Sequence, residues 1–262
     1  MPLPQSIALD DASVREEDVR RLLERLRGAV EDEPALGLLL EDPPDELATD
    51  RVTLTTIAER EEAFAAAKRM IDAEAERLTR RLYAGNISAG EWRRRMKQLV
   101  KDMQVAGGVA GRSGRWDALQ PRDWGRIGQV IRQQYSYLQR FAEDLQRPEE
   151  ARMSEAEAIS RTRLYTAAAH QSWEAQRVAE YGIDPGILPG LPADGRTRCL
   201  TNCRCRWAVQ TLSKENGDFN VRWRLQSSES CKTCIRRQRS WRLKVRSGRL
   251  TEQPEPIYYD HV

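Results

Sequence analysis

Histidine occurs only twice in this 262-residue chain, as His170 and His261. That scarcity excludes an HExxH protease helix and any histidine-rich metal centre. No serine stands in a GxSxG elbow, the turn that exposes a hydrolase nucleophile. The glycines of AGGVAGRSGRW follow neither a GxGxxG after a strand nor a Walker-type GK[ST], so that stretch reads as a flexible loop and not a phosphate cradle. His170, in AAAHQSW, reads as a structural or surface histidine. Glu155 and Glu157 read as helix-capping residues. The expectation is a protein that is not an enzyme.

Other shortages bound the architecture. Three Phe stand beside seven Trp and seven Tyr, so a large core must be built from Leu, Ala, Val and Ile. Such cores favour helices with narrow apolar stripes over a thick sandwich. No segment approaches the roughly 18–20 apolar residues of a membrane span. The start, MPLPQSIALDD, lacks the basic and apolar stretches of a secretory signal. The expected compartment is a reducing cytoplasm without membrane contact, where clustered cysteines mean metal more often than disulfide.

Charge is present but divided. Residues 1–62 hold 17 Asp/Glu against 7 Lys/Arg, a net of −10, whereas residues 196–250 hold 3 against 15, a net of +12. The split suggests an acidic end facing solvent or protein and a basic end facing phosphate or acidic protein.

Apolar periodicity predicts helices over about Val14 to Val30 and Thr56 to Tyr83, the second ending at Gly85-Asn86. SAGE, with Ser88 and Glu91 at capping-box spacing, opens another that carries Trp92, Met96, Leu99 and Met103. A third runs from about Pro121 to Gln146 on Ile127, Ile131, Tyr135, Leu138, Ala142 and Leu145. A fourth opens at Ser154, capped by Glu157, and runs toward Tyr181. After YGIDPGILPGLPADG the pattern turns to strands: WAVQTL and FNVRWRLQ flank KENGD, whose Asn216-Gly217 signals a hairpin. The chain therefore reads as mainly α, an elongated helical body followed by a small basic β-hairpin, zinc-ribbon-like cysteine module. Its parts are an acidic N-terminal helix and linker arm (1–55), an all-α body (56–184), and a basic cysteine-rich module with a C-terminal tail (185–262).

The five cysteines all lie in that module. Cys231 and Cys234 form a CxxC, which lets two thiolates reach one tetrahedral metal from a tight turn. Cys199, Cys203 and Cys205 form CxxxCxC, and either of its last two could complete the set. A structural zinc is the leading reading, because about 65 residues bury little core and a metal supplies folding free energy instead. Buried reduced thiols and a redox CxxC are the alternatives. Around the cysteines, Arg204, Arg206, Arg222, Arg224, Arg236, Arg237, Arg239 and Arg242 interleave with Trp207, Trp223 and Trp241. This resembles a phosphate-binding surface with stacking platforms, without the helix-turn-helix or finger pattern of sequence-specific readout.

Four stretches together resemble the Mu-type head-morphogenesis class of tailed-bacteriophage minor head proteins: LYAGNISAGEWRRRMKQLVKDMQVAGGVAGRSG, LQPRDWGRIGQVIRQQYSYLQRFAEDL, SRTRLYTAAAHQSWEAQRVAEYG and RCLTNCRCRW. They span roughly Leu82 to Trp241. In that class a helical body precedes a cysteine module with an NCRC-like element. Here the CxxC of Cys231 and Cys234 follows that element instead of preceding it, and the usual Asp-x-Arg segment is reduced to ADGRTRC. The resemblance implies a portal-proximal minor capsid protein, present in few copies in the virion and acting in capsid assembly or DNA packaging. It also implies portal and capsid proteins as partners, an oligomeric setting in the particle, and a DNA contact through phosphates. A zinc-ribbon regulatory protein that binds nucleic acid is the alternative.

Overall fold

A computed structural model describes residues 21, 22, 24–26, 29, 56–115, 118–147, 153–226 and 230–257. Most of the acidic arm therefore lies outside the described residues. Of the helix expected over Val14 to Val30, Leu22 and Leu26 are described, and both are buried in the core of the body.

Helix α1, Ile57–Tyr83, starts at a reciprocal cap: Thr56 accepts from Glu59 N at 3.2 Å, and Glu59 accepts from Thr56 N at 2.6 Å. It ends where Gly85 adopts φ +71°, a left-handed turn that glycine enters without strain. Its inward stripe is Ala63, Ala66, Ala67, Ile71, Ala75 and Leu78, small residues that let neighbours come close. Helix α2, Ala89–Gly111, is the central element and is wholly buried from Leu99 to Gly111. Ser88 caps Glu91 N at 3.1 Å, but the Glu91 carboxylate turns to Arg95 at 2.7 Å, so the capping box is half made.

Of the stretch read as a flexible glycine loop, Ala106–Gly111 form the last turn and a half of α2, and only Arg112–Gly114 make a turn, with Ser113 at φ +61° and Gly114 at φ +80°. A methyl group on Gly107 would stand 2.6 Å from Ala169 O, and one on Gly111 would stand 2.3 Å from Trp173 O. These glycines exist for close helix contact, which overrides their poor helix propensity.

Helix α3, Pro121–Asp144, buries five of the apolar residues predicted for its stripe, and the sixth, Leu145, is buried at its C-cap. The long helix expected after Ser154 is two: α4, Glu155–Ala167, and α5, Ala169–Glu180, divided at Ala168. The break lets α4 pack on α1 while α5 packs on α2.

Beyond α5 the chain makes a four-stranded antiparallel meander: β1 (Arg206–Ser213), β2 (Asp218–Arg224), β3 (Arg242–Arg246) and β4 (Arg249–Leu250). The predicted hairpin is present, and Gly217 takes φ +67° in its turn. Helix α6, Lys232–Ser240, joins β2 to β3. The fold is thus mainly helical with a small C-terminal sheet and a cysteine cluster.

Buried side chains form two clusters. One gathers α1 to α4 and Trp173; the other gathers Val178, the loop after α5, three cysteines and the inner face of the sheet. On that inner face Trp207 pairs with Trp223 and Val221 with Leu243. Helix α5 contributes to both cores.

Candidate metal centre

All five sulfurs meet at one corner of the sheet. Cys199 and Cys203 flank a short 3-10 turn, Leu200–Asn202, whose Leu200 holds φ +50°. That left-handed geometry costs a branched residue about 1–2 kcal/mol, and it folds the two cysteines toward the same side. The turn is fastened to the body: Thr201 Oγ1 donates to Leu164 O at 2.8 Å, and His170 Nε2 lies 3.0 Å from Cys205 O. The histidine read as structural does hold structure, by fixing a cysteine backbone.

The CxxC pair opens α6. Cys231 is its N-cap, with Sγ accepting from Cys234 N at 3.5 Å. A helix N-terminus favours the thiolate that a metal requires. Across the gap, Cys199 Sγ lies 3.7 Å from Cys231 Sγ and 3.9 Å from Cys234 Sγ, and Cys203 Sγ lies 3.6 Å from Cys234 Sγ. Two three-thiol groups result, Cys199–Cys231–Cys234 and Cys203–Cys205–Cys234, each with its sulfurs within 4.8 Å of one another. Cys234 belongs to both.

The thiols polarise one another. Cys203 and Cys234 hold the Cys205 thiol down at about 4 against its burial. Cys203 is lowered by Cys199 and Cys234 against the opposing pull of Cys205 and burial, whereas Cys234 is pushed up by Cys199, Cys203 and Cys205. Cys234 stands in both groups, and a cation bound there would take the place of thiol protons. This convergence of soft ligands can hold a metal ion.

The expected nucleic-acid residues divide sharply. Trp207, Trp223 and Trp241 are no platforms for bases, because all three are buried beneath the sheet, at 0–1% exposure. Trp207 stacks on Trp241 at 5.6 Å, and both meet Trp223 edge-on at 5.2 and 5.4 Å. Such pairs add about 1 kcal/mol each beyond burial. Arg237 is also withdrawn. Fully buried, it lies over the Trp241 ring at 4.4 Å and donates twice to Ile257 O at 3.2 and 3.0 Å, tying down the C-terminal segment. Arg206 is half-buried, 3.6 Å from Glu61. Arg204, Arg222, Arg224, Arg236, Arg239 and Arg242 remain exposed. The alternation that put Trp223 in the core put Arg222 and Arg224 outside, a consequence of the two-residue period applied to one face only.

Sequence reasoning missed the link that positions the sheet. Glu174 and Arg177, both buried on α5, form a bidentate pair at 3.0 and 2.8 Å and bind the backbone of Trp207. Their spacing of three was the available signal.

No family model, curated protein or solved structure matches this chain.

Proposed function

We propose that this chain is a structural head-morphogenesis protein of a tailed bacteriophage, with a cysteine module stapled by zinc. One observation carries the zinc reading: the sulfur separations of 3.6, 3.7 and 3.9 Å. Four thiolates around zinc at about 2.3 Å form a tetrahedron whose edge is about 3.8 Å. Cys199, Cys231 and Cys234 would hold the ion, with Cys203 or Cys205, both grouped with Cys234, as the fourth ligand; its role is to fasten the 3-10 turn to α6. No water-filled fourth position is needed when four thiolates close the site, so the reading is a structural metal and not a catalytic one.

The assembly role rests on the resemblance carried by the four stretches between Leu82 and Trp241. The order that resemblance implies, a helical body and then a cysteine module, is also the order of this fold. In this reading the body docks on portal or capsid protein at the portal vertex and the basic module faces DNA. Deleting the gene from an infectious clone should give empty or misassembled heads; full, normal heads would overturn the assignment.

The exposed arginines favour a second reading, a regulator that binds nucleic acid. A regulator keeps a preferred sequence at salt concentrations that abolish nonspecific binding, whereas an assembly protein shows the salt dependence alone.

A further inference from the structure

The outer face of the sheet carries a set of cations with no counter-charge. Arg222 and Arg224 point outward from β2, and Lys244 and Arg242 from β3. Arg239 of α6 joins them along one open groove of about 920 Å³. In the sheet register Arg222 stands directly opposite Arg242, and Asn220 opposite Lys244. Like charges placed directly across a strand pair destabilise it.

No acid relieves that cost. The described acids of the module are Asp194, Glu215, Asp218, Glu252 and Glu255, and Asp218 is occupied by Ser247 N at 3.0 Å. None of the five lines the groove. None of the five groove cations makes a side-chain hydrogen bond or ion pair among the described residues. Elsewhere the protein pairs its arginines closely, as with Arg60 and Glu180 at 3.0 Å or Arg126 and Asp184 at 2.6 Å. Other exposed arginines, Arg94 and Arg132 among them, also lack a partner among the described residues, so what distinguishes the groove is that five such cations share one face.

Spacing defines the anion. Outward positions recur about every 6.8 Å along a strand and about 4.8 Å between strands. Five cations so spread suit a repeating polyanion better than one small phosphate. The groove has no exposed aromatic side chain, since its one tryptophan, Trp223, is buried. Stacking of unpaired bases is what single-strand binders depend on, and it has no platform here.

We propose that the outer face of β1–β3 binds the phosphate backbone of double-stranded DNA without reading its sequence. This deepens the head-assembly reading, to which it adds a defined surface and partner, and it is tested separately.

The test uses the full chain as purified, with 30-base-pair duplexes of two unrelated sequences and a single strand of the same length. Fluorescence anisotropy follows binding from 50 to 300 mM KCl. Five phosphate contacts predict a slope of log K against log salt of about −4.5 on duplex. Both duplexes should bind alike and the single strand more weakly. The double variant Arg222→Gln/Arg242→Gln should flatten the slope by about 1.8, with a thermal midpoint equal to or above that of the parent, because a like-charge pair is gone. The control Arg94→Gln/Arg132→Gln, on exposed sites of the body, should keep the parent slope. The proposal is overturned by no binding at 50 mM, by an unchanged slope in the groove variant, by a sequence preference, or by tighter binding of the single strand. Failure here with empty heads on gene deletion leaves the assembly role standing. DNA binding with normal heads on deletion does the reverse.

Discussion

Glu174 and Arg177, one turn apart on α5, together hold both backbone polar groups of Trp207: Glu174 Oε2 accepts from Trp207 N at 3.1 Å, and Arg177 Nη2 donates to Trp207 O. A peptide group at the start of β1 is thus answered by a charged pair on the helical body. The pair is fully desolvated, so its net contribution is small, yet removing one partner strands a buried charge. Glu174→Gln or Arg177→Met should each cost about 3–5 kcal/mol in urea unfolding. Replacing both with apolar residues should cost less than the sum, with a residual loss because Trp207 N and O then lack partners. Additive losses in a double-mutant cycle would show that the two residues act independently.

Gly107 and Gly111 make the opposite kind of contact, by absence. Alanine normally improves a helix by about 1 kcal/mol over glycine. At these positions its methyl would meet the α5 backbone at 2.6 and 2.3 Å. Gly107→Ala and Gly111→Ala should therefore destabilise by about 1–3 kcal/mol. Gly90→Ala, on the exposed first turn of the same helix with only Ser88 Oγ within reach, at 3.8 Å, should stabilise. Thermal melts of the three variants test this; stabilisation at all three would mean that α2 and α5 stand further apart.

Much of this architecture was legible from pattern. The α3 stripe has strict helical spacing, and the hairpin has alternation plus Asn-Gly, signals that depend on one element alone. The α2 glycines were misread because their reason lies on α5, more than fifty residues away. The break at Ala168 has no proline or glycine to announce it and follows from the different partners of α4 and α5. At the cysteine cluster, spacing brought five thiols together but left Cys203 and Cys205 equivalent, since both follow a period of two. The tryptophans were misassigned for a related reason. Sequence showed aromatics beside arginines, and alternation alone decides that they lie on opposite faces of one sheet.

Acid should unwind the helix starts first. Backbone and side-chain hydrogen bonds from Ser154 hold the Glu157 carboxyl below its ordinary 4.5, and Thr56 does the same for Glu59. A depressed carboxyl contributes stability that is fully present above 4.5 and lost as pH falls through its lowered folded value. Glu157→Gln keeps a capping side chain but loses the charge, so it should be less stable than the parent at pH 7 and lose less stability between pH 4.5 and 3. Denaturation curves at stepped pH compare them, and parallel acid losses would remove the cap from the account.

Removing the metal should unfold the module selectively. Bound structural zinc is worth about 10–16 kcal/mol of apparent free energy in small cysteine modules at pH 7. The cluster of Trp207, Trp223 and Trp241 packs in the module core together with Cys203, Cys205 and Cys234. Chelation should therefore change tryptophan fluorescence strongly while most far-ultraviolet helical signal persists, because the body has its own core. Among single Ser variants, Cys234→Ser should lose metal completely, since Cys234 belongs to both thiol groups. Cys203 Sγ, 3.6 Å from Cys234 Sγ, matches the edge expected of a zinc tetrahedron, so Cys203→Ser should lose metal too. Cys205→Ser should keep about one zinc per chain. Metal analysis of the five variants decides it, and retention in Cys203→Ser with loss in Cys205→Ser would exchange the fourth ligand.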